Sequence, residues 1–324
     1  MDILTGRRSL LHGRRDFIRK AAFGTAGAAL GSLGLSACSS QYMGLRGIRK
    51  PAALNPGDAN VSFTTGSDRR DMIYHVLEPF KEHLSDAIRD KQVVVKLNCV
   101  GQNGLPLMVT HPDAVRGVLD FLKPIYDRTV IIGESPVQNK NPEKTFELFG
   151  YLPLEEEYNA RCVDLNTEPT SYQWILDGNM NPQRISIINT FLDPDNYIIS
   201  VTRLKTHNCV VATLSLKNVV MGSPIKIPRL RINEKAKMHA GSASPKFIHH
   251  NIFLMAHRVR PDFAVLDGFE SVEGNGPAHG DPLDHKVAVA GPDFVAVDSI
   301  GAELMGIDPG DIGYLKFCGT AGLG

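Results

Sequence analysis

The sequence predicts an α/β fold in which a mostly parallel sheet with flanking helices forms a single large domain. Three observations lead there. Short β-branched runs at residues 92–97 (QVVVKL) and 129–133 (TVIIG) are apolar enough to be buried strands. Longer stretches with helical spacing separate them, which is the rhythm of βαβ units and a parallel sheet. Polar clusters follow the ends of these runs, where parallel sheets hold ligands.

In chain order, residues 1–37 read as an export address rather than as fold. Arg14-Arg15-Asp16-Phe17 resembles a twin-arginine signal, and residues 21–37 form a soft apolar run with four glycines. That run is too short and too glycine-rich for a stable membrane span. Leu35-Ser36-Ala37-Cys38 resembles a lipobox, with Cys38 the lipidated first residue of the mature chain. Residues 38–60 are rich in Ser, Gly, Pro and Arg and read as a tether. The expected product folds before export and stays lipid-anchored, periplasmic or on the outer face of the cytoplasmic membrane.

The folded domain is expected over residues 61–324. Besides the two runs above, strands are predicted at 197–202, 263–266 and 286–290, and helices at 113–122, 144–149, 248–258 and 294–305. Residues 222–247, rich in Gly, Pro, Ser and Lys, read as a long irregular excursion.

Composition narrows the functional classes. The chain carries 35 basic and 35 acidic residues; residues 1–37 hold six basic and two acidic, which leaves 29 against 33 and a net charge of −4. A mildly acidic exported domain is a poor nucleic-acid binder. Beyond Cys38 the cysteines are Cys99, Cys162, Cys209 and Cys318, with no CxxC pair, so no iron-sulfur cluster or zinc ribbon is expected. The sequence names no cofactor.

The densest chemistry lies in VTRLKTH (201–207) and LSLKNVVMG (214–222). Together with DGFESVEGNGP (267–277) and AGPDFVAVD (290–298), these runs resemble the domain-of-unknown-function 362 family over about residues 93–324. The resemblance implies an α/β domain of unsettled activity. Some members carry a ferredoxin-like segment with clustered cysteines, a pattern this chain lacks.

From the residues themselves, Lys205 and His207 lie two apart on an extended segment and share a side. The reading assigns Lys205, His207 and Glu273 to catalysis, with His207 and Glu273 exchanging protons and Lys205 and Lys217 holding an anion. Lys96, Asn98, Asn218 and Asp267, with the turn glycines Gly274 and Gly276, complete the substrate-binding set. The loop cations Lys226, Arg229, Arg231, Lys235, Lys237, His239 and Lys246 reinforce an anionic ligand or form a solvated basic loop. A metal held by His207, His239 and a carboxylate has no HExxH-type spacing behind it, so no metal site is assigned. The rival function is a non-catalytic anion- or metal-binding lipoprotein.

Overall fold

The computed structural model describes residues 60–99, 105–136, 142–239, 245–277 and 279–324. The expected signal, the lipidation site Cys38 and all but the last residue of the tether lie outside the described residues.

The described chain starts with β1 (Ser62–Thr65), α1 (Arg69–Leu77) and α2 (Lys81–Ile88), and Asp68 caps α1 by accepting from the Asp71 N–H. Then come β2 (Gln92–Lys96), α3 (Pro112–Leu122) and β3 (Val130–Glu134). Next are α4 (Pro142–Leu148), α5 (Pro153–Glu157), β4 (Ala160–Asp164) and a hairpin of β5 (Thr170–Leu176) and β6 (Pro182–Ile188). The second half holds β7 (Asn196–His207), β8 (Val211–Thr213), α6 (Ser215–Gly222), the two-residue strands β9 (Lys226–Ile227) and β10 (Ile232–Asn233), α7 (Glu234–Met238) and α8 (Pro245–Ala256). It ends with β11 (Phe263–Asn275), β12 (His279–Leu283), β13 (Val287–Gly291), α9 (Phe294–Leu304) and α10 (Gly313–Thr320).

The main sheet runs β1-β13-β11-β7-β2-β3-β4, with β12 and β8 added as hairpin partners of β11 and β7. From β11 to β4 every neighbouring pair is parallel, whereas β13 and β1 close the other edge antiparallel. The predicted strand at 286–290 is thus the antiparallel member of a mostly parallel sheet.

Helices cover both faces because the strands are apolar on both. In β2, Val93 and Val95 pack with Ile73, Leu84 and Val115 of the first three helices, while Val94 turns to the opposite layer with Leu216, Ile252 and Phe294. Each such fully buried side chain contributes about 1.5–3 kcal/mol.

Two expectations change in detail. Strands β7 and β11 continue several residues past their predicted ends, each drawn out by a hairpin partner. Residues 222–247 are not irregular throughout: β9, β10 and α7 are ordered, and α7 buries Lys235 and Met238.

Candidate functional site

From β2 the chain moves outward to β3 and β4, then returns to lay β7 on the other edge of β2 with β11 beyond it. The order therefore reverses between β2 and β7, the position where parallel sheets open a crevice beyond their carboxyl ends. A cavity of ≈ 390 Å³ lies there, lined by Lys96, Asn98, Glu134, Lys205, His207, Lys217, Asn218, Lys235 and His239 among others.

Four of these residues are lysines, and all four are buried. Lys96 Nζ donates to Glu134 Oε1 at 2.6 Å, to the Leu97 carbonyl at 2.5 Å and to Asn218 Oδ1 at 3.4 Å. Both Glu134 oxygens are engaged as well: Oε1 also accepts from the Ser135 backbone N–H, and Oε2 accepts from that of Cys99. Lys235 donates to Ser135 Oγ, the Met221 carbonyl and the Gly222 carbonyl at 2.9–3.2 Å. Lys205 donates to Asn98 Oδ1 and the Met108 carbonyl. Lys217, on α6, donates to Thr213 Oγ1 at 3.2 Å.

Among the described residues Lys96 alone of the four pairs with a carboxylate, and burying ammonium groups without counter-charge is costly. The lysines respond by titrating low. Burial pushes Lys205 down to about 7, with Lys217 and Arg203 adding repulsion. Burial likewise lowers Lys217 to about 8 and Lys235 to about 7.

His207 Nδ1 accepts from the Cys209 backbone N–H at 3.1 Å. A backbone amide only donates, so the neutral ring carries its proton on Nε2 and offers that N–H to a ligand. Burial, then Lys217 and Lys205, lower the ring to about 2, so His207 stays neutral without an anion. In this state His207 presents its Nε2–H as a hydrogen-bond donor. His239 is held below its usual range by burial and Lys217. Among the described residues no three His, Cys, Asp or Glu side chains come together as a metal site.

The structure brings Lys96, Asn98, Lys205, His207, Lys217 and Asn218 to one cavity. Asn218 does not wait for a ligand: its amide accepts from Asn98 and Lys96 and donates to Ser200 Oγ and the Lys96 carbonyl. It ties α6 to the two strand ends and is a positioning residue. Asp267, Glu273 and Gly274 are not in the cavity lining. Asp267 is fully buried against Arg69, whose Nε lies 3.2–3.3 Å from both carboxylate oxygens. Glu273 and Gly274 are exposed in the β11–β12 hairpin, because a register shift between Asp267 and Val272 carries that part of β11 past the cavity. Gly276 does not line the cavity either, but a side chain there would meet the Thr206 carbonyl at 2.2 Å, so it lets the chain place Pro277 on the cavity wall.

Several contributors were not assigned from sequence. Glu134 and Ser135 directly follow a predicted strand, a position that signalled them. Asp298 was part of a quoted motif without a role; its two oxygens accept from the Ser215 and Leu216 backbone N–H groups and so fix the start of α6, which carries Lys217 and Asn218. Burial raises Asp298 to about 7 against the pull of those bonds. The glycine closing LSLKNVVMG also has a steric cause: a Cβ on Gly222 would lie 2.5 Å from Lys96 Cε.

Comparison with known proteins adds the following. The family profile described as "Domain of unknown function (DUF362)" matches residues 93–303, more than half of the chain. The thylakoid-associated protein sll1697 of Synechocystis sp. is 28% identical over 207 residues, covering 63% of this chain and 59% of that protein, so this chain spans less than two thirds of that relative. Among solved structures, the lactate racemase apoprotein from Thermoanaerobacterium thermosaccharolyticum aligns with a TM-score of 0.46 at 14% identity, covering 82% of this chain and 62% of that one. A Thermotoga maritima protein aligns with a TM-score of 0.43 at 12% identity, covering 71% and 59%. At these scores neither structural likeness bears on function.

Proposed function

The chain belongs to the domain-of-unknown-function 362 family, and from that premise we propose that it is an exported, lipid-anchored enzyme acting on a small anionic compound bound in the switch-point cavity. One observation carries the reading: four buried lysines converge on a cavity where, among the described residues, only Lys96 pairs with a carboxylate, Glu134. A small anion supplies the missing counter-charge. In this reading Lys217, which makes one hydrogen bond among the described residues, grips the anion, and His207 adds its Nε2–H. Lys205 moves a proton near neutral pH. Lys96, Asn98, Asn218 and Glu134 hold the frame.

Support for export is the order Arg14-Arg15-Asp16-Phe17, soft apolar run, Leu-Ser-Ala-Cys38. Among the described residues no helix is long and apolar enough to cross a membrane. In this reading lipid on Cys38 supplies the anchor, and Cys38→Ser is expected to shift the protein from the membrane to the soluble fraction. A non-catalytic anion-binding lipoprotein is the second reading; the pairing of Glu134 with Lys96 and two backbone N–H groups, a structural rather than a proton-transfer role, favours it.

Calorimetric titration with phosphate, sulfate and small carboxylates tests the binding core shared by both readings. The expected result is one site whose affinity falls about ten- to hundredfold in Lys217→Met, the worth of a charge-assisted hydrogen bond. Absence of binding by all these anions, or binding indifferent to Lys217→Met, overturns it.

A further inference from the structure

Resting on that reading of the cavity as an anion site, we propose that Lys205 is an amine nucleophile that forms an iminium with a small carbonyl compound bearing an anionic group. The acceptors around each lysine separate their roles. An ammonium has three protons to donate, and Lys96 and Lys235 each meet three acceptors. Among the described residues Lys205 meets two, Asn98 Oδ1 and the Met108 carbonyl. Both of these atoms only accept, so they suit the two protons of a neutral amine and leave its lone pair at the remaining tetrahedral corner. Lys205 lines the cavity while being 3% exposed, which keeps the amine away from bulk water.

The neighbours fit the same division. Lys217 lies in the same cavity with one hydrogen bond made among the described residues and is the cation left to hold the substrate's carboxylate or phosphate. A lysine desolvated beside other cations is the recognised way to make an amine nucleophilic at neutral pH. Burial and the Lys217 and Arg203 charges act on Lys205 in that sense.

The step balances without an oxidant or reductant. The Lys205 lone pair attacks the carbonyl carbon, and the C=O π pair moves to oxygen, which takes a proton from the Lys217 ammonium. Lys217 recovers a proton from the attacking nitrogen, giving the carbinolamine. One proton from solvent then lets the hydroxyl leave as water, and the nitrogen lone pair closes the C=N bond.

The test uses the purified full chain at pH 7 with stoichiometric glyoxylate and sodium cyanoborohydride, followed by peptide mapping. The expected product is a single adduct on Lys205, with the mass of glyoxylic acid less one oxygen. Labelling is expected to accelerate as pH rises through about 7 and to slow when inorganic phosphate competes. An adduct on Lys217 or scattered over surface lysines overturns the assignment. No adduct on Lys205, with phosphate still binding by calorimetry, overturns the nucleophile and leaves the anion site standing. Loss of both labelling and phosphate binding removes both. Mapping the wild-type chain makes the result independent of whether Lys205→Arg folds.

Discussion

Two charge clusters meet on β7, two residues apart, and they are built on opposite principles. At Arg203 the charges close on themselves: Arg203 pairs with Glu270 at 2.9 Å, and Arg69 pairs with Asp267 at 3.2 Å and reaches Glu270 at 3.8 Å. Two guanidinium groups face two carboxylates, and Arg203 also donates to the Val109 and Glu270 carbonyls. At Lys205 the charges do not close, since among the described residues only Lys96 of the four buried lysines pairs with a carboxylate, Glu134. The first cluster is arginine, permanently charged; the second is lysine, which gives up its proton when burial demands it. A balanced cluster joins strand to helix, and in the proposed reading the unbalanced one takes its counter-charge from a bound anion.

The contrast breaks most sharply with pH. Lys205, Lys217 and Lys235 titrate lower in the folded chain than in the unfolded one, so between about 7 and 10.5 the folded state binds fewer protons. Stability without an anion therefore rises with pH across that window, on the order of several kcal/mol in all. Urea unfolding at constant ionic strength reads it, and added phosphate should flatten the rise; a level curve without phosphate contradicts the imbalance.

Next in size is Arg69→Met, which leaves fully buried Asp267 without its cation. The expected cost is about 3–5 kcal/mol in the same unfolding assay, with phosphate affinity unchanged. A loss of affinity as large as that of Lys217→Met would merge the two clusters into one functional unit.

The smallest effect sharpens the geometry. In Gly222→Ala the new methyl lies 2.5 Å from Lys96 Cε and 2.9 Å from its Nζ. Displacing that ammonium from Glu134 is expected to cost about 1–3 kcal/mol. A crystal structure of the variant with Lys96 unmoved would show that the glycine serves another purpose.

Much of this frame was legible in the sequence, for reasons visible residue by residue. Val93, Val94 and Val95 announce a strand buried on both faces, and Lys96 and Asn98 follow it into the cavity. The period of two placed Lys205 and His207 together because β7 stays extended through the site. Glu273 was misplaced because the register shift in β11 has no signature in the alternation, and a hairpin then carries it outward. Lys235 lay hidden among loop cations, since burial there depends on a short helix, α7, set by its Asn233 cap. Asp298 could not be linked to α6 from local pattern at all, because the helix start it caps lies more than eighty residues earlier.

The most direct measurement is the unfolding free energy of Lys217→Met against wild type, with and without phosphate. Removing a buried ammonium that lacks a counter-charge should leave stability in the absence of phosphate unchanged or higher, and should abolish the stabilisation phosphate gives the wild type. A loss comparable to that of Arg69→Met, or undiminished stabilisation by phosphate, would show that the lysine cluster is held together as the arginine cluster is and contradict its role as an anion site.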